Sequence, residues 1–264
     1  MARARPQEAV PPPGLGSDGS AALARGLAVM ASFGAERRTQ TLSDVALAVG
    51  LPRATARRAL LTLVALGYLE TEGRQFRLTP QVLRLAGAYL TSNAISTLLQ
   101  PACDRIARMV GESCTVAVLE QDEVVMIARA LPAQLVPAGV GIGFRLPAYC
   151  TALGRVLLAA LPDATLTAYL ARTALRAVTP HTLTDPAAVR ARIAAARADG
   201  FCFADQEAER GFRSVAVPLR RYDGTVIAAL NIGARVEGAA RDVMLGRYLG
   251  VLLAEASALS ACLI

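Results

Sequence analysis

Arginine is the residue type with the most chemistry to offer in this chain. All 28 basic residues are arginine, against 21 acids, for a net charge of +7. A guanidinium grips phosphate oxygens or a guanine edge with two parallel hydrogen bonds, which lysine cannot do. Arg53, Thr55, Arg57 and Arg58 crowd near the start of one helical pattern, mostly opposite an apolar stripe of Ala56, Leu60, Leu63 and Val64. Arg74 and Arg77 follow in a hairpin pattern. A solvated surface helix would also hold arginines. The tight turn before it, the helix lengths and the basic hairpin point instead to double-stranded DNA. Arg53, Thr55, Arg57 and Arg58 would then face base edges in the major groove, and Arg74 and Arg77 the flanking backbone.

A second set of residues suits a small organic acid. Two turn-rich stretches stand out, RLPAYCTALG at 145–154 and DQEAERGFRS at 205–214. Arg129, Arg145 and Arg213 could neutralise a carboxylate, Tyr149, Thr151, Ser214 and Asn231 could hydrogen-bond it, and Asp205 is expected to line the same site. Each has a structural alternative: Arg213 could pair with Asp205 or Glu209, and Asn231 could satisfy a strand end.

Catalysis fits poorly. The single histidine, His181, follows Pro180 in a loop; there is no GxSxG elbow and no phosphate-binding loop with a lysine. Cys150 has no basic neighbour in sequence. Asp205, Glu207 and Glu209 could ligate a metal, but alternation on an exposed strand or loop explains them as well. The reading is of a non-enzyme with no cofactor and no metal. Five widely spaced cysteines without a CxxC argue against a disulfide framework or a zinc site and suit a reducing compartment. The N-terminus lacks an apolar signal region. Residues 248–264 are apolar but short and interrupted by Glu255, which suggests a buried terminal helix rather than a membrane span. A cytoplasmic protein is expected.

The elements that must position these residues form two domains. Residues 1–19, with three consecutive prolines, read as a disordered tail. Ser20 caps a helix to about residue 32, and 34–40 read as a polar connection. Thr41 and Asp44 open a helix over 42–49, Gly50-Leu51-Pro52 turns the chain, and a longer helix follows over 53–66. Strands over 68–70 and 76–78 make a wing. Residues 20–80 therefore read as a winged helix-turn-helix domain, with eight arginines against four acids. A connector helix is expected over 81–97. Its apolar character calls for a partner and suggests a dimer. Pro101 should open another helix, to about residue 110.

Residues 98–264 form the second domain. Strands are expected over 114–119, 124–130, 135–140, 201–204, 214–219 and 225–232. Helices are expected over 151–160, 166–172 and 186–198, with a last one from about residue 238. Antiparallel hairpins beside helices imply an α+β class.

Three stretches resemble the IclR family of transcriptional regulators: LSDVALAVGLPRATARRALLTLVALGYLE, GFRLPAYCTALGRVLLA and DQEAERGFRSVAVPLRRYDGTVIAALNIG. LPAYCT and the DQE…RS-AVP wording are most similar to the subgroup regulating the β-ketoadipate route of aromatic-acid breakdown. The resemblance implies a winged helix-turn-helix, a connector helix and a GAF-like effector domain with an antiparallel sheet. It also implies homodimers or homotetramers on palindromic operators. It carries the family's effector pocket onto Ala152, Leu153, Ser214, Asn231 and Gly233. Ala204 stands where an acid is often found, and Asn231 and Gly233 where some relatives have serines. An aromatic or dicarboxylic effector, such as protocatechuate, 4-hydroxybenzoate or β-ketoadipate, is implied over the smallest keto acids.

Overall fold

A computed structural model describes residues 18–34, 36–92, 94–132 and 141–263. The expected strand over 135–140 and nearly all of the expected tail lie outside the described residues. The chain divides into two compact units, one up to Tyr89 and one from Leu90 onward.

In the first unit, Ser20 caps α1 (Ala21–Ala31) through a bond from the Leu23 amide. Helix α2 (Leu42–Ala48) begins with a reciprocal box. Asp44 accepts from the Thr41 amide at 2.9 Å, and Thr41 Oγ1 accepts from the Asp44 amide. Gly50, at φ +63°, turns the chain into α3 (Arg53–Ala65). Gly67, at φ +79°, ends α3 as the Tyr68 amide reaches back to the Leu63 carbonyl. Val29, Phe33, Val45, Leu60, Leu63 and Leu69 close the core of this unit.

The wing has three strands rather than two, in the order β1-β3-β2: β1 (Thr39–Thr41), β2 (Leu69–Glu72) and β3 (Gln75–Leu78). The segment expected as a polar connection supplies β1. Three polar residues show no alternation of apolar side chains, so the pairing of Gln40 with Phe76 has no signal in composition. Gln40 is buried and donates to the carbonyl and hydroxyl of Ser32. Helices α1 and α3 also border an apolar groove of about 630 Å³, lined by Leu23, Leu27, Met30, Leu66 and Leu85 among others.

A 3₁₀ turn, Pro80–Val82, leads into α4 (Leu83–Ser92), and the division between units falls within this helix. Helix α5 (Ala94–Val110) runs through Pro101, which lies inside it rather than opening it. Proline inside a helix costs about 3 kcal/mol. Burial of Leu99, Ala102, Cys103, Ile106 and Val110 offsets that cost.

The second unit is a six-stranded antiparallel sheet in the order β6-β5-β4-β9-β8-β7. Its strands are β4 (Ser113–Glu120), β5 (Glu123–Ala130), β6 (Arg145–Pro147), β7 (Cys202–Asp205), β8 (Phe212–Arg220) and β9 (Val226–Arg235). The short strand β6 falls in the turn-rich stretch at 145–154, where no strand was expected. One face packs on α5 and on a terminal helical run comprising α9 (Arg241–Val243), a π-turn and α10 (Leu249–Ser260). The other face packs on α6 (Ala152–Ala159), α7 (Asp163–Arg172) and α8 (Pro186–Asp199). The terminal run is long and apolar enough to cross a membrane. Met244, Leu252, Ala256 and Leu259 bury one side of it in the core, as the terminal-helix reading expected.

Candidate DNA-binding and effector sites

Helix α3 starts without a side-chain cap: Pro52 occupies the cap position, and no acid lies in the first turn. Its first amides and positive dipole end are therefore open to an anion. Arg57 and Arg58 are exposed, and Thr55 is half-buried. Arg53 is steered by Ser43 of α2, which accepts from its guanidinium at 2.7 Å. Arg74 stands exposed in the β2–β3 turn. Arg77 has a partner within the wing. The sheet sets it directly opposite Glu70, and the two bond at 2.6 Å. Both are half-exposed, and such a pair is worth about 0–1 kcal/mol. Arg77 is thus engaged within the wing, whereas Arg74 has no side-chain partner among the described residues.

The effector-side residues divide by the period of the strands. Across the sheet, Arg129 of β5 lies opposite Thr115 of β4, Thr115 opposite Asn231 of β9, and Asn231 opposite Ala216 of β8. Directly opposed residues share a face. This row lies on the α6 side, since Ala216 belongs to that core. A second row on the same face joins Ser113, Gly233 and Ser214. Ala152 and Leu153, both buried at the start of α6, belong to the core on this side.

Two atoms in this region stand out. Arg129 Nε and Asn231 Oδ1 are buried without a hydrogen-bond partner among the described residues. Among the described residues, the one hydrogen-bond partner of the Arg129 guanidinium is the Met126 sulfur, at 3.4 Å. Burial pushes the Arg129 guanidinium below its ordinary value, against the pull of Glu209. A buried donor and a buried acceptor left open cost stability unless a ligand or water meets them.

Five expected ligand residues are otherwise employed. Arg145 follows the opposite face of β6 and is held at the sheet edge by Glu120 and Glu123, at 2.8 and 2.6 Å. Arg213 and Asp205 bond to each other at 2.8 Å. Arg213 also reaches the Ala239 carbonyl, in the α5 and α10 layer. They are one step out of phase with Ser214, so the strand turns them away from the row. The Tyr149 hydroxyl donates to the Arg176 carbonyl and accepts from its amide, fastening the loop after α7. Thr151 caps α6 by accepting from the Gly154 amide at 3.0 Å.

Sequence reasoning missed Ser113 and Thr115, although SCTVA alternates hydroxyl with apolar residues along β4. It also missed Arg155. This arginine is fully buried and grips Glu207 with two bonds of 2.6 Å, while its Nε donates to the Tyr149 carbonyl. Each acid weighed as a metal ligand faces an arginine instead: Asp205 with Arg213, Glu207 with Arg155, and Glu209 with Arg235. No group of potential metal ligands occurs among the described residues.

A winged helix-turn-helix with an open basic helix, followed by an α+β unit, defines a DNA-binding transcriptional regulator. The model of the IclR helix-turn-helix domain matches residues 22–73, and that of the bacterial transcriptional regulator IclR C-terminal domain matches residues 87–261. The chain belongs to the IclR family. It is 43% identical to the Pca regulon regulatory protein of Pseudomonas putida, over 88% of this chain and 80% of that one. It is 36% identical to the p-hydroxybenzoate hydroxylase transcriptional activator of Acinetobacter baylyi, over 80% of each. Among solved structures it is similar to an IclR homologue from Microbacterium hydrocarbonoxydans complexed with 4-hydroxybenzoate. That match has a TM-score of 0.76 and 30% identity, covering 92% of this chain and 98% of the other.

Proposed function

We propose that this protein regulates an aromatic-acid catabolic operon by binding a small carboxylic acid on the α6-facing side of its sheet. Protocatechuate, 4-hydroxybenzoate and β-ketoadipate are the candidate effectors. The observation that carries the reading is the half-buried Arg129, whose guanidinium meets no carboxylate among the described residues, in one row with Thr115 and the open amide oxygen of Asn231. A ligand carboxylate would satisfy Arg129, and a second polar group would meet Asn231. The regulators of aromatic-acid genes among its relatives support this choice of acids. Residues 20–80 serve as the DNA-binding domain, 81–97 as the connector and 98–264 as the effector domain. Homodimers or homotetramers would place two copies of α3 on a palindromic operator in the cytoplasm.

Calorimetric titration of the full chain with the three acids tests this. At least one should bind. Arg129→Gln should weaken that binding by about 2–5 kcal/mol, as for loss of a buried charged partner, with the operator footprint unchanged. Failure of all three acids to bind, or equal binding by the variant, would remove the site.

A further inference from the structure

Gly233 sits buried inside β9 without the positive φ that would require glycine. Glycine within a strand is unfavourable, so a close approach must explain it. A methyl group built on Gly233 would overlap the ring of Phe212, with Cε1 only 2.7 Å away, and would press on Ser113 Oγ at 3.2 Å. Phe212 lies two residues before Ser214 on β8, so it shares the α6-facing side of the sheet. The guanidinium of Arg235 stands 5.8 Å from the ring centroid. The ring therefore fills the space that a side chain at residue 233 would take.

We propose that Phe212 is the specificity-determining wall of the effector site, and that Gly233 is glycine to admit its ring. This rests on the reading that the acid lies along Arg129, Thr115 and Asn231. The acid meets an aromatic wall beyond Asn231, and that wall limits its length. Gly233 then acts on the ligand through Phe212 rather than by touching it, a revision of its expected role.

Three pairs of acids test the wall: protocatechuate against caffeate, 4-hydroxybenzoate against 4-coumarate, and β-ketoadipate against 3-oxosuberate. In each pair the second is two carbons longer. Phe212→Ala should raise the affinity for the longer acid relative to the shorter at least tenfold in the pair the protein binds, and Phe212→Leu should do so to a smaller degree. Gly233→Ala should lower Tm and weaken acid binding. In the Phe212→Ala background the same change should leave Tm nearly unmoved. Unchanged length preference in both Phe212 variants would overturn the proposal. So would a Gly233→Ala penalty that is the same with and without the ring. Operator binding by each variant reports a folded chain. If the unaltered protein binds none of the six acids, the effector reading falls and this proposal with it. If it binds but its preference does not move, only the wall falls.

Discussion

At the scale of single residues, the arginines separate by what already holds them. Arg57 is exposed near the N-terminal end of α3, the end a recognition helix presents to base edges. Arg57→Ala should weaken operator binding by about 1–3 kcal/mol and relax preference at one base pair, if it grips a guanine. Equal loss on operator and unrelated DNA would make it a phosphate contact. Arg74→Ala should weaken both DNAs alike and reduce the salt slope by about 1. Both outcomes can be read from fluorescence titrations at several salt concentrations. Arg77 was indistinguishable from Arg74 in sequence. Only the β2–β3 register, which sets it against Glu70, tells them apart. The same holds for Arg129, Arg145 and Arg213. All three looked alike as carboxylate binders, yet among the described residues Arg145 and Arg213 are met by acids and Arg129 is not.

At the scale of elements, the strongly periodic helices and the strands beside clear turns were legible. Helix α8 was expected within a residue of where Asp185 and Gly200 close it. The wing was expected from Tyr68 and Phe76 flanking a glycine turn. What was not legible depended on distant partners. β1 and β6 are three residues each and exist only because β3 and β5 pair with them. The passage of α5 through Pro101 depends on the sheet beneath it. The α6 start has a tighter constraint, because a methyl group on Gly154 would collide with the Ala148 backbone. Gly154→Ala should therefore destabilise by about 1–3 kcal/mol or more, seen as a lowered Tm. At the start of α2, the Thr41 amide and hydroxyl hold the Asp44 carboxyl below its ordinary value of 3.8. A depressed folded value means that the contribution is present above the unfolded value and lost as pH falls through the folded one. Asp44→Asn should accordingly flatten the acid limb of the stability profile, measured by thermal melts across pH.

At the scale of the whole molecule, an effector can change operator affinity only by its unequal affinity for two arrangements of the chain. Operator must then change effector affinity by the same factor. Calorimetric titration of the acid with and without operator duplex should give a ratio matching the acid's effect on DNA binding; unequal ratios would mean that more than one linked step intervenes. The Arg155–Glu207 fork bears on how such a regulator can diversify. Its two members lie 52 positions apart and are both buried. Replacing either alone strands a charge in the interior, at about 3–5 kcal/mol, whereas replacing both with apolar residues can be nearly neutral. No single-step route joins the two states without crossing a fitness valley. Descendants of this protein should therefore keep the pair unchanged while Phe212 and the residues around Arg129 drift toward new acids.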